Sequence, residues 1–310
     1  MTILYSDPIF LKHDTGNLPE NAARIVPAVH RVNQIAMHAG CPRRSWIEVS
    51  DSRLERVHAP AYIKYVKDFS QQGGGFISDD TVVCPESYHV ARMAVGAVCD
   101  AVEQVVQGAN ERAFCLVRPP GHHATSAEAM GFCLFNNVAV GARLAIDELG
   151  LERVMIVDWD IHHGNGTQDL FWEDGQVGFL SIHRASFYHN TGTAAETGAG
   201  KGLGTTVNVP VEFGTSREDY FEMFTSAVER LAEKIRPQLV LISAGFDSHK
   251  SDPVGSLGLE SEDFGRLTRI VLDVAAAHAG DRVVSVLEGG YNPHALAESI
   301  EHHLLEMTSA

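Results

Sequence analysis

The chain has 310 residues, 45% hydrophobic and 21% charged, with a formal net charge of −16. These proportions fit a globular protein, and no apolar run approaches the ~20 residues that a membrane-spanning helix needs. The acidity repels phosphate backbones, which argues against nucleic acid as a partner; it would steer a cationic substrate favourably, and acidity serving solubility alone is an equal reading.

In chain order, the opening "MTILYSDPIFLKHDTG" lacks a basic region followed by a long apolar one, so no secretion signal is expected. Thr2–Tyr5 reads as a buried strand, Ser87–Val106 as a helix and Phe114–Val117 as a second strand. A helix over Asn136–Leu149 stops at Gly150, and strands follow at Val154–Val157, Val177–Ile182 and Thr205–Val209. Thr215–Asp219 carries capping-box residues before a helix over Tyr220–Ile235. Leu239–Ser243 is a strand, Phe264–Ala277 a helix with Ser261 as N-cap and Gly280 as stop, and Val283–Leu287 the last strand. Strands apolar throughout are covered on both faces. With no linker, repeat or low-complexity tract, the chain 1–310 reads as one α/β domain: a mostly parallel sheet with helices on both faces. The five cysteines (Cys41, Cys84, Cys99, Cys115, Cys133) are odd in number and form no C-x-x-C pair. That pattern fits reduced thiols and a cytoplasmic location rather than a disulfide frame.

Parallel sheets bind ligands beyond the carboxyl ends of their strands. Four such ends carry ionisable chemistry beside glycine: "RPPGHHA" with His122 and His123, "DWDIHH" from Asp158, "AGFDSH" with Asp247, and "EGGYN" with Tyr291. Side chains alternate along extended backbone, so Asp158, Asp160 and His162 face one way. Packing does not explain three such groups on one buried face, because a buried carboxylate needs a partner or a metal. Asp160, His162 and Asp247 form an Asp₂His set with room for a further ligand. That arrangement suits a catalytic Zn²⁺, and Fe²⁺ or Mn²⁺ would also fit the donor types. The competing reading is an acid–histidine cluster that only orders loops. His122 and His123 are adjacent, so in extended backbone they point apart and do different work. One of them could be a general base. Tyr291, following Gly289 and Gly290, could donate to an oxyanion.

The blocks "RPPGHHA", "GFCLFNN", "DWDIHHGNGTQ", "SAGFDSHKSDPVG" and "LEGGYN" resemble, in order, the signatures of the zinc-dependent histone deacetylase superfamily, most closely its class II branch and bacterial relatives. The resemblance implies the arginase–deacetylase fold with an eight-stranded parallel sheet, one zinc per chain, and hydrolysis of an acylated amine to acetate and free amine. It makes Asp160, His162 and Asp247 the zinc ligands, His123 the general base and His122 its electrostatic neighbour. Asp158 stands behind His122, and Tyr291 polarises the carbonyl. Asn165 falls where class I members have an aspartate behind the second histidine, which alters that histidine's proton affinity. A structural potassium is implied at Asp158, Asp160, His162, Ser181 and Ile182, and a second at Phe171, Asp174 and Val177. For the acyl channel the resemblance implies Gly131 and Phe132 on one wall, Phe187 or Tyr188 opposite, and Asp80 (or Asp79) as rim acid. Gly289 belongs to the substrate-binding set, and Arg24 lies near the acetate exit.

Two departures stand out. Class II members often have His-Pro-Glu in the N-terminal block, where this chain has Leu18-Pro19-Glu20. Eukaryotic polyamine deacetylases carry a gatekeeper glutamate where this chain has Val254, which weakens attraction for a distant ammonium. The leading expectation is therefore a deacetylase acting on an acetyl-lysine protein or a small acylated amine, with acetylpolyamine hydrolysis as its rival. A catalytically silent acyl-lysine binder is a reading of another class, and the intact His123 and Tyr291 count against it. An arginase-like dimanganese enzyme needs a second acid beside Asp247 that "GFDSHKSDP" lacks.

Overall fold

The computed structural model describes residues 1–108 and 111–309. The apolar runs form the strands β1 (Thr2–Tyr5), β4 (Arg112–Cys115), β5 (Val154–Asp158), β6 (Val177–Arg184), β7 (Thr206–Val211), β8 (Leu239–Ala244) and β9 (Val283–Leu287). They pair in parallel in the order β1-β4-β9-β8-β5-β6-β7. A separate antiparallel hairpin joins β2 (Gly75–Phe76) to β3 (Val82–Val83).

The main sheet has seven strands, not the expected eight. Beside β1, the position of a further edge strand is reached only by a single bridge between Leu4 and Arg43. Pro42 has no N–H to offer a ladder, and its carbonyl accepts one bond from the Leu4 N–H (3.0 Å) before the chain leaves the edge.

Helices cover both faces. On one, α4 (Ser87–Val106) packs against β4 and β9, and α5 (Asn137–Asp147) against β5 and β8. On the other, α7 (Arg217–Ile235) packs against β5, β6 and β7. Next to it, α8 (Ser261–His278) and α9 (Pro293–Thr308) reach the sheet through buried His303. Its imidazole bonds Thr268 of α8 (2.6 Å) and Ser285 of β9 (2.9 Å). The cap of α8 is Glu260, in a reciprocal box with Asp263, so the expected Ser261 cap is off by one residue. There the Asp263 carboxylate accepts the Glu260 N–H (2.8 Å), a bond that a cap one residue later would not have. Ser216 caps α7 as expected. The structure adds α1 (Val26–Ala39), α2 (Asp51–Leu54), α3 (Pro60–Gln71) and α6 (Asn165–Phe171), which periodicity did not assign.

Chain order reverses between β5 and β8, which are neighbours. The four strand ends singled out in the sequence belong to β4, β9, β8 and β5, the four adjacent strands that flank this switch point. The fold therefore gathers them at one crevice.

Candidate functional site

Beyond β5 the chain bends away from the sheet, and Asp160 and His162 turn toward the end of β8. Asp160 Oδ1 accepts the His162 N–H (2.9 Å) and Oδ2 accepts the Gly289 N–H (2.8 Å). Asp247 Oδ1 accepts the Ile161 N–H (2.9 Å). The His162 Nδ1 lies 2.9 Å from Asp160 Oδ1 and 3.1 Å from Asp247 Oδ2. Both carboxylates are fully buried, yet Asp247 Oδ2 has no hydrogen bond of acceptable geometry.

These residues fit a divalent cation. One ligand atom from each lies within 4.8 Å of the others. Burial and the neighbouring Asp160 charge push Asp247 up to about 7. Burial opposes charge on His162, but the two carboxylates outweigh it and push its pKa up to about 10. Two glycines keep the cradle open. A Cβ at Gly289 would lie 2.3 Å from Asp247 Oδ2 and 2.5 Å from Asp160 Oδ2, and one at Gly245 would lie 2.2 Å from Asp160 Oδ2. The nitrogen–oxygen donor set suits Zn²⁺, and iron or manganese as well. His122, Cys133 and Glu288 also cluster. There the acid is committed: Glu288 accepts the Gly121 N–H (2.7 Å), the His122 N–H (3.2 Å) and the Ser243 hydroxyl (3.2 Å).

The two histidines do not diverge as extended backbone would require. His122 and His123 occupy a turn, and their rings lie 4.0 Å apart. Their environments differ all the same. The His122 Nδ1–H donates to Asp158 Oδ2 (2.9 Å). Burial opposes its charge, but Asp158, Asp160 and Glu288 outweigh it and push its pKa up to about 10. The His123 Nδ1–H donates to Asn165 Oδ1 (2.6 Å), which leaves Nε2 as the acceptor. Burial, then the charges of His122 and His162, hold the His123 pKa well below the usual range. One ring is thus held protonated and the other neutral, in contact.

Tyr291 is nearly buried, and its ring lies 5.8 Å from that of Phe132. Burial, then Asp247 and Asp160, push its hydroxyl pKa far up, so it stays a donor. Arg24 lies 5.5 Å from the centre of this ring and donates to the carbonyls of Gly290 (3.1 Å) and Glu288 (2.8 Å). Glu20 of the Leu18-Pro19-Glu20 block is fully buried between Arg24 and Arg118.

Phe187 stacks on His162 with centroids 5.2 Å apart, while the Tyr188 ring lies 4.6 Å from His123. Gly131 has φ +56, and a Cβ there would meet the His123 ring at 2.2 Å. Of the two rim candidates, Asp80 accepts the Gly131 N–H (3.0 Å) and the Tyr188 hydroxyl (2.7 Å), whereas Asp79 is exposed. Of the first set of potassium positions, Ser181 pairs with Asp158 across β5–β6, and Ile182 is next in the strand. In the second set, Phe171 and Asp174 flank the end of α6 and Val177 begins β6. The Asp174 carboxylate is occupied by Arg143.

Two contributors lie outside the sequence reading. Glu288 holds the His122 turn, and Asp252 Oδ2 accepts the backbone N–H of Tyr291 (2.6 Å) and of Asn292 (3.3 Å). Glu288 stands inside the quoted "EGGYN", where an acid at the end of an all-apolar strand was a readable signal. Asp252 acts across loops, which spacing does not show.

The histone deacetylase domain family matches residues 18–307. The chain is 40% identical over 295 residues to the human polyamine deacetylase HDAC10, covering 91% of this chain and 43% of that protein. It is 39% identical over 250 residues to a histone deacetylase-like amidohydrolase of Pseudomonas aeruginosa, covering 80% and 66% of the two. The crystal structure of the HDA15 HD domain superposes with a TM-score of 0.93 at 33% identity, over 99% of this chain and 91% of that one. The chain belongs to the histone deacetylase family, and it spans less than half the length of the human relative.

Proposed function

From that membership we propose a metal-dependent deacetylase that hydrolyses the amide of acetyl-lysine or a related acylated amine. The observation that carries this reading is the convergence of Asp160, His162 and Asp247, with an orphaned buried oxygen, beside His122 bonded to the Asp158 carboxylate and His123 bonded to the Asn165 amide. The bound ion, zinc in this proposal, would supply Lewis acidity toward the amide carbonyl and lower the pKa of water. His123, unprotonated at Nε2, takes the proton of the attacking water. Asn165 fixes its tautomer, and His122, charged through Asp158, stabilises negative charge as it develops. The Tyr291 hydroxyl donates to the oxyanion, and Arg24 and Asp252 hold its backbone in place. The C–N bond then breaks, and the proton taken from water passes to the leaving amine. Gly131, Phe132 and Phe187 form the channel walls, with Asp80 at the rim. The Ser181 region is proposed to hold a structural potassium.

Acetylpolyamine hydrolysis is the second reading, favoured by the 40% identity to a polyamine deacetylase. Assaying acetate release from acetyl-lysine peptides and acetylpolyamines, with and without a hydroxamate, tests both. Hydroxamate-sensitive release from peptides supports the first reading. Faster release from polyamines favours the second, and no release from either panel refutes the enzyme.

A further inference from the structure

The Tyr188 side chain reaches from one wall of the proposed channel to the other. It leaves the chain beside Phe187, and its hydroxyl donates to Asp80 Oδ2 (2.7 Å) on the Gly131 side. Between those points its ring lies 4.6 Å from His123 and 5.6 Å from His162, centroid to centroid. These separations are ring contact, and no aliphatic chain fits between. A cavity of about 380 Å³ has Tyr188, Asp80, Tyr65 and Met130 in its wall. His123, His162 and Tyr291 do not line it, and Tyr188 touches both this cavity and the rings of His123 and His162.

The attachments of the ring are those of a movable part. Tyr188 is half-buried on a loop whose Ser186, His189 and Asn190 are exposed, and those three non-glycine residues have φ values of 51, 55 and 51°. Asn and His tolerate left-handed backbone, but at Ser186 it is costly and is kept only while other contacts hold it. Phe187, by contrast, is clamped between His162 and the Arg184 guanidinium, 4.4 Å from its centroid. Asp80 does not depend on the tyrosine for its position, because the Gly131 N–H and the Thr81 hydroxyl (2.9 Å) hold its other oxygen.

We propose that Tyr188 is a latch across the mouth of the acyl channel, and that it must swing off Asp80 before an acylated amine can reach His123. The opened latch leaves the Asp80 carboxylate to accept an N–H of the incoming substrate. This inference rests on the deacetylase reading. A closed latch lowers apparent affinity by the fraction of molecules that are open.

The test is stopped-flow binding of a hydroxamate to the zinc-loaded wild type, Tyr188→Phe and Tyr188→Ala, with kcat/KM on an acetyl-lysine peptide and thermal unfolding alongside. Losing one hydrogen bond to a carboxylate, at tenfold per 1.4 kcal/mol, is expected to raise the association rate of Tyr188→Phe by roughly ten- to a hundredfold. Tyr188→Ala rises at least as far, dissociation changes less, and kcat/KM rises in parallel. A purely structural tyrosine would lower Tm without speeding association. Unchanged or slower association in both variants of an active enzyme overturns the latch alone. A wild type that neither binds hydroxamate nor releases acetate overturns the deacetylase reading and the latch with it.

Discussion

Gly289→Ala is the smallest change that tests the metal cradle, because it alters no ligand and no charge. Gly289 is not among the glycines with positive φ, so alanine meets no backbone objection. Its methyl would lie 2.3 Å from Asp247 Oδ2, 2.5 Å from Asp160 Oδ2 and 2.9 Å from Asp247 Cγ. Those separations fall about 1 Å short of ordinary contact, and the atoms concerned belong to two fully buried ligands. The carboxylates must spread, and the Gly289 N–H bond to Asp160 must lengthen with them. Misplacing reacting groups by about 1 Å can cost around 10² in rate. Metal per chain by mass spectrometry and kcat/KM are measured on Gly289→Ala, with Gly108→Ala as control. Gly108, unlike Gly289, has a positive φ (+77), so alanine strains its backbone, but an added methyl there meets nothing within 4 Å. The expected outcome is loss of metal and of about 10² or more in kcat/KM for Gly289→Ala only. A Gly289→Ala protein with full metal and wild-type kcat/KM would refute the cradle.

Tyr291→Phe should keep its metal and lose about 10²–10³ in kcat with little change in KM, read by steady-state kinetics. Asp252→Ala unpins two backbone N–H groups at Tyr291 and Asn292. It should lower kcat at unchanged metal content, and its Tm should fall by a few degrees. Glu20→Gln breaks a buried ion pair and should cost about 3–5 kcal/mol in urea unfolding. Burial opposes ionisation of Glu20, but Arg118 and Arg24 outweigh it and hold its pKa at about 2, against 4.5 normally. Its contribution is therefore complete above about pH 4.5 and is lost as pH falls through about 2. Wild-type stability should decline more steeply than that of Glu20→Gln across that window.

The chemistry was legible because it sits on strand ends. β5 and β9 run into acids and Asp247 lies three residues beyond β8, and a parallel sheet brings such strand ends to one edge whatever the loops do. Asp160, His162, Asp247 and Tyr291 stood out as candidates for that reason, and the family resemblance assigned their roles. The His122–His123 geometry did not, because alternation describes strands and these residues occupy a turn. Nor did the eighth strand, where Pro42 ends the edge pairing after one bridge. Glu288 was readable as an acid at a strand end, but Asp252 and the Glu20–Arg118 pair act through contacts between distant segments. Their roles depend on which loops meet, and period and spacing carry no record of that.

The most direct test is a crystal structure with anomalous diffraction collected across the zinc absorption edge. The account predicts a single zinc peak per chain, in contact with His162 Nδ1 and with carboxylate oxygens of Asp160 and Asp247. A peak at His122, Cys133 and Glu288 instead, or none in fully active protein, would contradict it.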